Sequence, residues 1–122
     1  MTEMKVFCKT CNIELSNELV KLADLDQISE DDGKDFLTKG HFFLSDGEYF
    51  TGSDKKIIIN LKDLLNNKKH TDYRRLNGCC DLDGADGINT LCKNGHEIGT
   101  IKKDCWMPHC MIFEPNLIII ND

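Results

Sequence analysis

The chain has 122 residues, 40% of them hydrophobic and 30% charged, with a formal net charge of −6. That length suits one domain spanning 1–122 with a modest core, and the balance suits a soluble globular protein. The negative charge argues against generic attraction to nucleic acid or anionic membrane, and no apolar run approaches the ~20 residues of a membrane-spanning helix.

Lys5-Val6-Phe7 predicts a short strand that runs into a Cys8-Lys9-Thr10-Cys11 turn. A C-x2-C turn exposes backbone N–H groups to the sulfurs and lets two thiolates face one ion. The opening MTEMKVFCKTC has no apolar secretory stretch. The seven cysteines are an odd set. Together these point to the cytosol, where thiols stay reduced and cysteine clusters bind metal rather than form disulfides.

From Ile13 to Asp35 the chain is acidic, and Ser29-Glu30-Asp31-Asp32-Gly33 predicts an exposed loop. A solvated face explains this run more simply than an acidic docking surface. His41-Phe42-Phe43-Leu44 and Glu48-Tyr49-Phe50-Thr51 flank an Asp46-Gly47 turn, which predicts a hairpin. Ile57-Ile58-Ile59 reads as a buried strand, because β-branched residues suit a pleated surface. Asn60 then reads as an N-cap, with Asp63 in the first turn and Leu61, Leu64 and Leu65 at helical spacing, so a short helix is expected over 61–67. Beyond Gly78, frequent glycines divide the chain into candidate strands at Ile88–Lys93, His96–Ile101, Trp106–Phe113 and Leu117–Ile120. The expected fold class is α+β: mostly antiparallel β with short helices and a zinc-ribbon-like knuckle.

The preferred site is a structural zinc site of Cys8, Cys11, Cys80 and Cys92. Zinc accepts tetrahedral sulfur and nitrogen ligands and is the natural ion for thiolates in a reducing compartment. The partner half is open at this stage. Cys79 can replace Cys80, since adjacent side chains on an extended backbone point to opposite sides, and Cys105 is another substitute. Cys92-x3-His96 and Cys105-x3-His109 repeat one spacing and can form a Cys2His2 site between them, or two sites can share the cysteines. The competing readings are buried free thiols packing as small apolar groups and a redox pair.

Other chemistries fit less well. The spacings familiar from iron–sulfur proteins are missing, and Cys8-Lys9-Thr10-Cys11 lacks the βαβ setting of a thioredoxin motif. Asp81-Leu82-Asp83-Gly84-Ala85-Asp86-Gly87 shares some features with a calcium loop. Taking Asp81 as position 1, however, places Ala85 at 5, Asp86 at 6 and Cys92 at 12, none of which suits an EF-hand. A tight acidic turn is the simpler reading. His96-Glu97 has no second histidine to complete H-E-x-x-H, and the deaminase elements H-x-E and P-C-x-x-C are absent. Lys55, Lys56, Lys62, Lys68, Lys69, Arg74 and Arg75, with Tyr73 among them, make a basic stretch that can grip phosphate and stack a base. A patch that only balances the acidic third is the plainer account.

The run Arg74-Arg75-Leu76-Asn77-Gly78-Cys79-Cys80-Asp81-Leu82-Asp83-Gly84, continuing through Leu91-Cys92, His96-Glu97 and Asp104-Cys105-Trp106-Met107-Pro108-His109, resembles a group of small bacterial, cysteine-rich, zinc-ribbon-like proteins of unknown function. Those also begin with a C-x2-C turn. The resemblance implies a bacterial cytosolic module and transfers neither an activity nor a residue role. The expected function is therefore a small non-enzymatic protein-binding module held by structural zinc, either an adaptor or, on size and charge alone, an immunity-type inhibitor. A nucleic-acid-binding zinc-ribbon regulator and a zinc-dependent hydrolase are the alternatives.

Overall fold

The computed structural model describes residues 3–50 and 52–121. Its elements in chain order are β1 (Glu3–Cys8), β2 (Leu19–Lys21), β3 (His41–Leu44), β4 (Ile57–Ile59), β5 (Asn67–Lys69), β6 (Thr90–Cys92), β7 (Glu97–Lys102), β8 (Cys110–Phe113) and β9 (Ile118–Asn121). They join in one mixed sheet of order β5-β6-β7-β8-β4-β3-β2-β1-β9. β2 and β3 pair in parallel, and the other neighbours are antiparallel. The only helical turns among the described residues are short 3-10 turns at Leu25–Gln27, Leu61–Asp63, Tyr73–Arg75 and Pro115–Leu117. The expected α+β class with short helices is thus corrected to a single large mixed sheet with no α-helix among the described residues. No helix among the described residues is long and apolar enough to cross a membrane.

The 61–67 helix fails for a local reason. Asn60 does cap, accepting from Lys62 N at 2.8 Å. Asp63 is then buried, accepting from Gly40 N at 2.7 Å and Asn17 Nδ2 at 3.2 Å. Leu64 turns extended, and Leu65 N donates to Leu15 O at 2.8 Å. The segment before β2 claims the backbone that a helix would need, through Leu15 and the isolated Ser16–Leu64 bridge. The hairpin expected over Asp46-Gly47 is also replaced. Gly47 does turn, at φ 88. β3 nevertheless pairs with β4 rather than with Glu48–Phe50, and Thr51 lies outside the described residues. Tyr49 and Phe50 instead pack their rings on Phe36, with centroids at 5.2 and 5.0 Å.

β4 and β8 show why three isoleucines run together. Ile57 and Ile59 face a core of Val6, Leu15, Leu19, Ile98, Met111 and Phe113. Ile58, with Cys110 and Ile112, faces a second core of Leu22, Phe36 and Leu37. A strand buried on both faces loses the usual apolar–polar alternation. Truncating Phe36, the centre of the second core, to Ala is expected to cost about 3–5 kcal/mol. Urea unfolding checks this as a lower midpoint at unchanged slope.

The strand order poses a geometric problem whose solution makes the site. Six steps lead from β6 through β7, β8, β4, β3 and β2 to β1, about 29 Å across a flat sheet. Yet side chains of β1 and β6 meet. The sheet curls until its ends are tied by the stretch before β2. Its one edge pairs with β1 through Phe7 and Glu14, and its other edge pairs Ser16 with Leu64. Leu64 and Leu65 lead directly into β5, which pairs β6. The right-handed twist of strands favours such closure, and Gly99, in the middle of β7, lets β8 approach closely on the far side of the ring.

Candidate metal centre

Two cysteine groups converge in the folded chain. The first is Cys8, Cys11, Cys92 and His96, whose ligand atoms all lie within 4.8 Å of one another. The second is Cys79, Cys80 and Cys105, drawn together to the same limit. Of the four cysteines preferred from the sequence, Cys8, Cys11 and Cys92 meet, while Cys80 sits in the other group. His96 occupies the fourth place.

Each half of the first group is a knuckle closing a strand. β1 ends at Cys8, Asn12 N donates to Cys8 O at 2.8 Å, and Cys8 N donates back to Ile13 O at 2.9 Å. Asn12 takes φ 61, a left-handed value that asparagine tolerates better than most residues. β6 ends at Cys92, where Cys92 N donates to His96 O at 2.7 Å and Gly95 N donates to Cys92 O at 2.8 Å. Gly95 takes φ 93 there, which glycine adopts without strain. Upstream, buried Asn89 accepts from Ile101 N at 2.8 Å and donates to Ile101 O at 3.0 Å. It stands in for a ladder pair just before the β6–β7 register shifts, between Thr90 and Leu91.

The facing atoms are close. Cys11 Sγ lies 3.8 Å from Cys92 Sγ. His96 Nδ1 lies 3.4 Å from Cys92 Sγ and 3.8 Å from Cys8 Sγ. Cys8 and Cys92 are buried, and Cys11 and His96 are half-buried. Burial pushes the Cys8 thiol up, although the Cys11 and Thr10 N–H groups oppose it. The Asn94 amide and the Ile13 N–H hold Cys11 down, at about 6. Asn94 Nδ2 donates to Cys11 Sγ at 3.3 Å. The two knuckles are further braced by Asn66, whose Nδ2 donates to Glu14 O at 2.7 Å and whose carbonyl accepts from Lys93 N at 2.7 Å. Sequence reasoning missed both asparagines. The only hint of Asn94 is its place inside the C-x3-H spacing, and Asn66 carries no local signal.

In the second group, Cys80 Sγ is 3.0 Å from Cys105 Sγ and 4.0 Å from Cys79 Sγ, and all three cysteines are exposed. The loops carrying them are pinned by Asp104, which is fully buried. Its carboxylate accepts from Cys79 N at 2.6 Å, Cys80 N at 2.9 Å, Cys105 N at 2.7 Å and Trp106 Nε1 at 2.9 Å. Burial alone would raise its pKa, but these donors hold the carboxyl well below the usual range. Close contact with Cys80 pushes the Cys105 thiol up to about 12, with burial and Asp104 adding to the shift. Gly78 is required beside them, since a Cβ there would overlap Asp81 O and sit 2.8 Å from Asp104 Oδ2.

The two C-x3-H pairs do not share a centre. Cys92 and His96 stay together in the first group, while His109 Nε2 donates to the Asp104 carbonyl at 3.0 Å. In the acidic turn after the second group, Asp83 Oδ1 accepts from Ala85 N at 2.9 Å and Asp86 Oδ2 from Asn77 Nδ2 at 2.8 Å. Comparison with protein-family models, with curated proteins and with solved structures gave no match in any of the three. The chain is cysteine-rich, with two Cys/His groups able to hold a metal ion.

Proposed function

We propose that this is a small non-enzymatic protein-binding module of the bacterial cytosol, closed by a structural zinc ion on Cys8, Cys11, Cys92 and His96 Nδ1. One observation carries the zinc reading. Bonds of about 2.3 Å to sulfur and 2.0 Å to nitrogen at tetrahedral angles set sulfurs about 3.8 Å apart and sulfur–nitrogen pairs about 3.5 Å apart. Among the six edges of the group, Cys11–Cys92 is 3.8 Å and His96 lies 3.4 and 3.8 Å from Cys92 and Cys8, and every other edge is within 4.8 Å. Four protein donors fill a tetrahedral ion and leave no position for a reacting water, which favours structure over hydrolysis.

The binding role draws support from β9, the last strand in the sheet order. Ile119 and Ile120 are 41% and 42% exposed on it. An edge strand with exposed apolar side chains suits a partner that adds a strand of its own. The nucleic-acid alternative is weaker. Arg74 is held by Asp72 at 2.9 and 3.1 Å, and Arg75 by Ile88 O at 3.1 Å and Glu97 at 3.4 Å. Lys68 and Lys69, on β5, remain exposed.

Elemental analysis of the purified chain tests the first part. Cys92→Ser and His96→Ala are expected to lose a zinc that Cys80→Ser keeps, and equal loss in all three refutes this ligand set. Affinity capture followed by mass spectrometry tests the second. A protein retained by the wild type and released by the Ile119→Asp, Ile120→Asp double variant, at unchanged zinc content, is the expected result. A wild type that retains nothing, or a double variant that retains the same partner, counts against the module.

A further inference from the structure

We propose that Cys79, Cys80 and Cys105 form a second, solvent-open site that takes one soft, thiophilic metal ion on three thiolates. The site is built rather than accidental. Three of the four groups bonded to the buried Asp104 carboxylate are the backbone N–H groups of these same cysteines. The carboxylate therefore sets two loops, from distant parts of the chain, in one orientation with their sulfurs outward. Because both its oxygens are occupied by these donors and by Trp106 Nε1, Asp104 frames the site without serving as a ligand.

Among the described residues no fourth histidine, cysteine or carboxylate joins the three. His109 is engaged with the Asp104 carbonyl, and Asp81 faces Lys103 Nζ at 3.5 Å. An all-sulfur donor set selects soft ions and rejects magnesium and calcium. A three-coordinate ion with bonds of about 2.3 Å spaces its sulfurs about 4.0 Å apart. The Cys79–Cys80 separation of 4.0 Å meets that, and the 3.0 Å between Cys80 and Cys105 widens by rotation of exposed side chains. Binding releases the thiol protons to solvent and leaves the ion on the three thiolates, with no change of oxidation state. Exposure of all three cysteines leaves one face of the ion free for exchange. This site stands on its own geometry and does not depend on the zinc assignment of the first centre.

Trp106 is the only tryptophan of the chain, and its indole shares Asp104 with the triad, so it reports on this site. The experiment is an anaerobic titration of the full-length, zinc-supplemented protein with Cu(I) against a chromogenic Cu(I) chelator in a reducing buffer. One equivalent of copper is expected to leave the chelator while Trp106 emission changes to saturation at the same ratio and zinc content stays constant. Cys80→Ser and Cys105→Ser are each expected to lose that equivalent and the emission change while keeping the wild-type melting curve. Copper that stays with the chelator overturns the proposal, as does copper uptake that only displaces zinc with Trp106 silent. It also falls if either variant binds like the wild type, or if mass spectrometry finds a Cys80–Cys105 disulfide surviving in the reducing buffer.

Discussion

Removing metal from the Cys8–Cys11–Cys92–His96 centre with a strong chelator is expected to lower the melting temperature by about 20 °C. The size follows from what the ion cross-links. Cys11 and Cys92 lie 81 positions apart, and a cross-link closing such a loop removes about 4.5 kcal/mol of denatured-chain entropy in the loop-closure picture. In a chain of this size each kcal/mol moves the midpoint by about 4 °C. Metal–ligand bonding in the proposed centre would add to this, since binding energy at a site absent from the unfolded chain is folding energy. Calorimetry with and without chelator, followed by zinc add-back, makes the measurement. A midpoint that moves by less than about 5 °C would mean that the hydrogen-bonded tie through Leu64 and Leu65 holds the ring without metal, and the structural role would be lost.

Gly99→Ala is the second large effect, expected to cost about 3 kcal/mol and to weaken metal retention as well. Gly99 pairs with Phe113 across the β7–β8 ladder. A Cβ there would overlap Ile112 O and sit 2.8 Å from Met111 Cε and 3.0 Å from Phe113 Cα. Backbone on one side and a packed core on the other leave nowhere to move, which is overpacking at its most severe. The same residue pairs with Thr90 on β6, two positions before Cys92, so displacing β7 disturbs the hairpin that presents Cys92 and His96. Thermal unfolding and a chelator competition read the two consequences separately. Gly87→Ala is the control. Its φ is 89 with nothing within 4 Å, so only the left-handed penalty of about 1 kcal/mol applies. If the two variants proved equally stable, the close approach of β7 and β8 would carry no energetic weight.

Local signals in the chain were readable to different depths. Strands rich in β-branched and aromatic residues, such as Ile57–Ile59 and His41–Leu44, stand out because their side chains alone favour a pleated surface. The leucines at 61, 64 and 65 mislead because helical spacing ignores distant partners. Here the competing partner is Leu15, some fifty residues away, together with the burial of Asp63. Tyr49 and Phe50 mislead in the same way, since the attraction that redirects them is Phe36. The centre divides along the same line. C-x2-C and C-x3-H are local geometries that a reader of the chain can recognise. Which pair faces Cys8 and Cys11 depends on how far the sheet curls, and that is a property of strand pairing across the whole chain. Cys80 and Cys92 cannot be separated by spacing, and in the fold Cys80 lies with Cys79, both amides donating to Asp104.

The unequal burial of the two cysteine groups implies two clocks. An ion held by Cys8 and Cys92, both fully buried, together with half-buried Cys11 and His96, would leave slowly, at a rate tied to the parting of the knuckles, over hours or longer where that opening is slow. An ion on the exposed triad is open to direct attack by an incoming thiol and exchanges without any such opening. The chain would thus hold one ion as a permanent component and offer the other to passing ligands, and isotopic metal exchange would resolve a slow phase and a fast one in the same molecule.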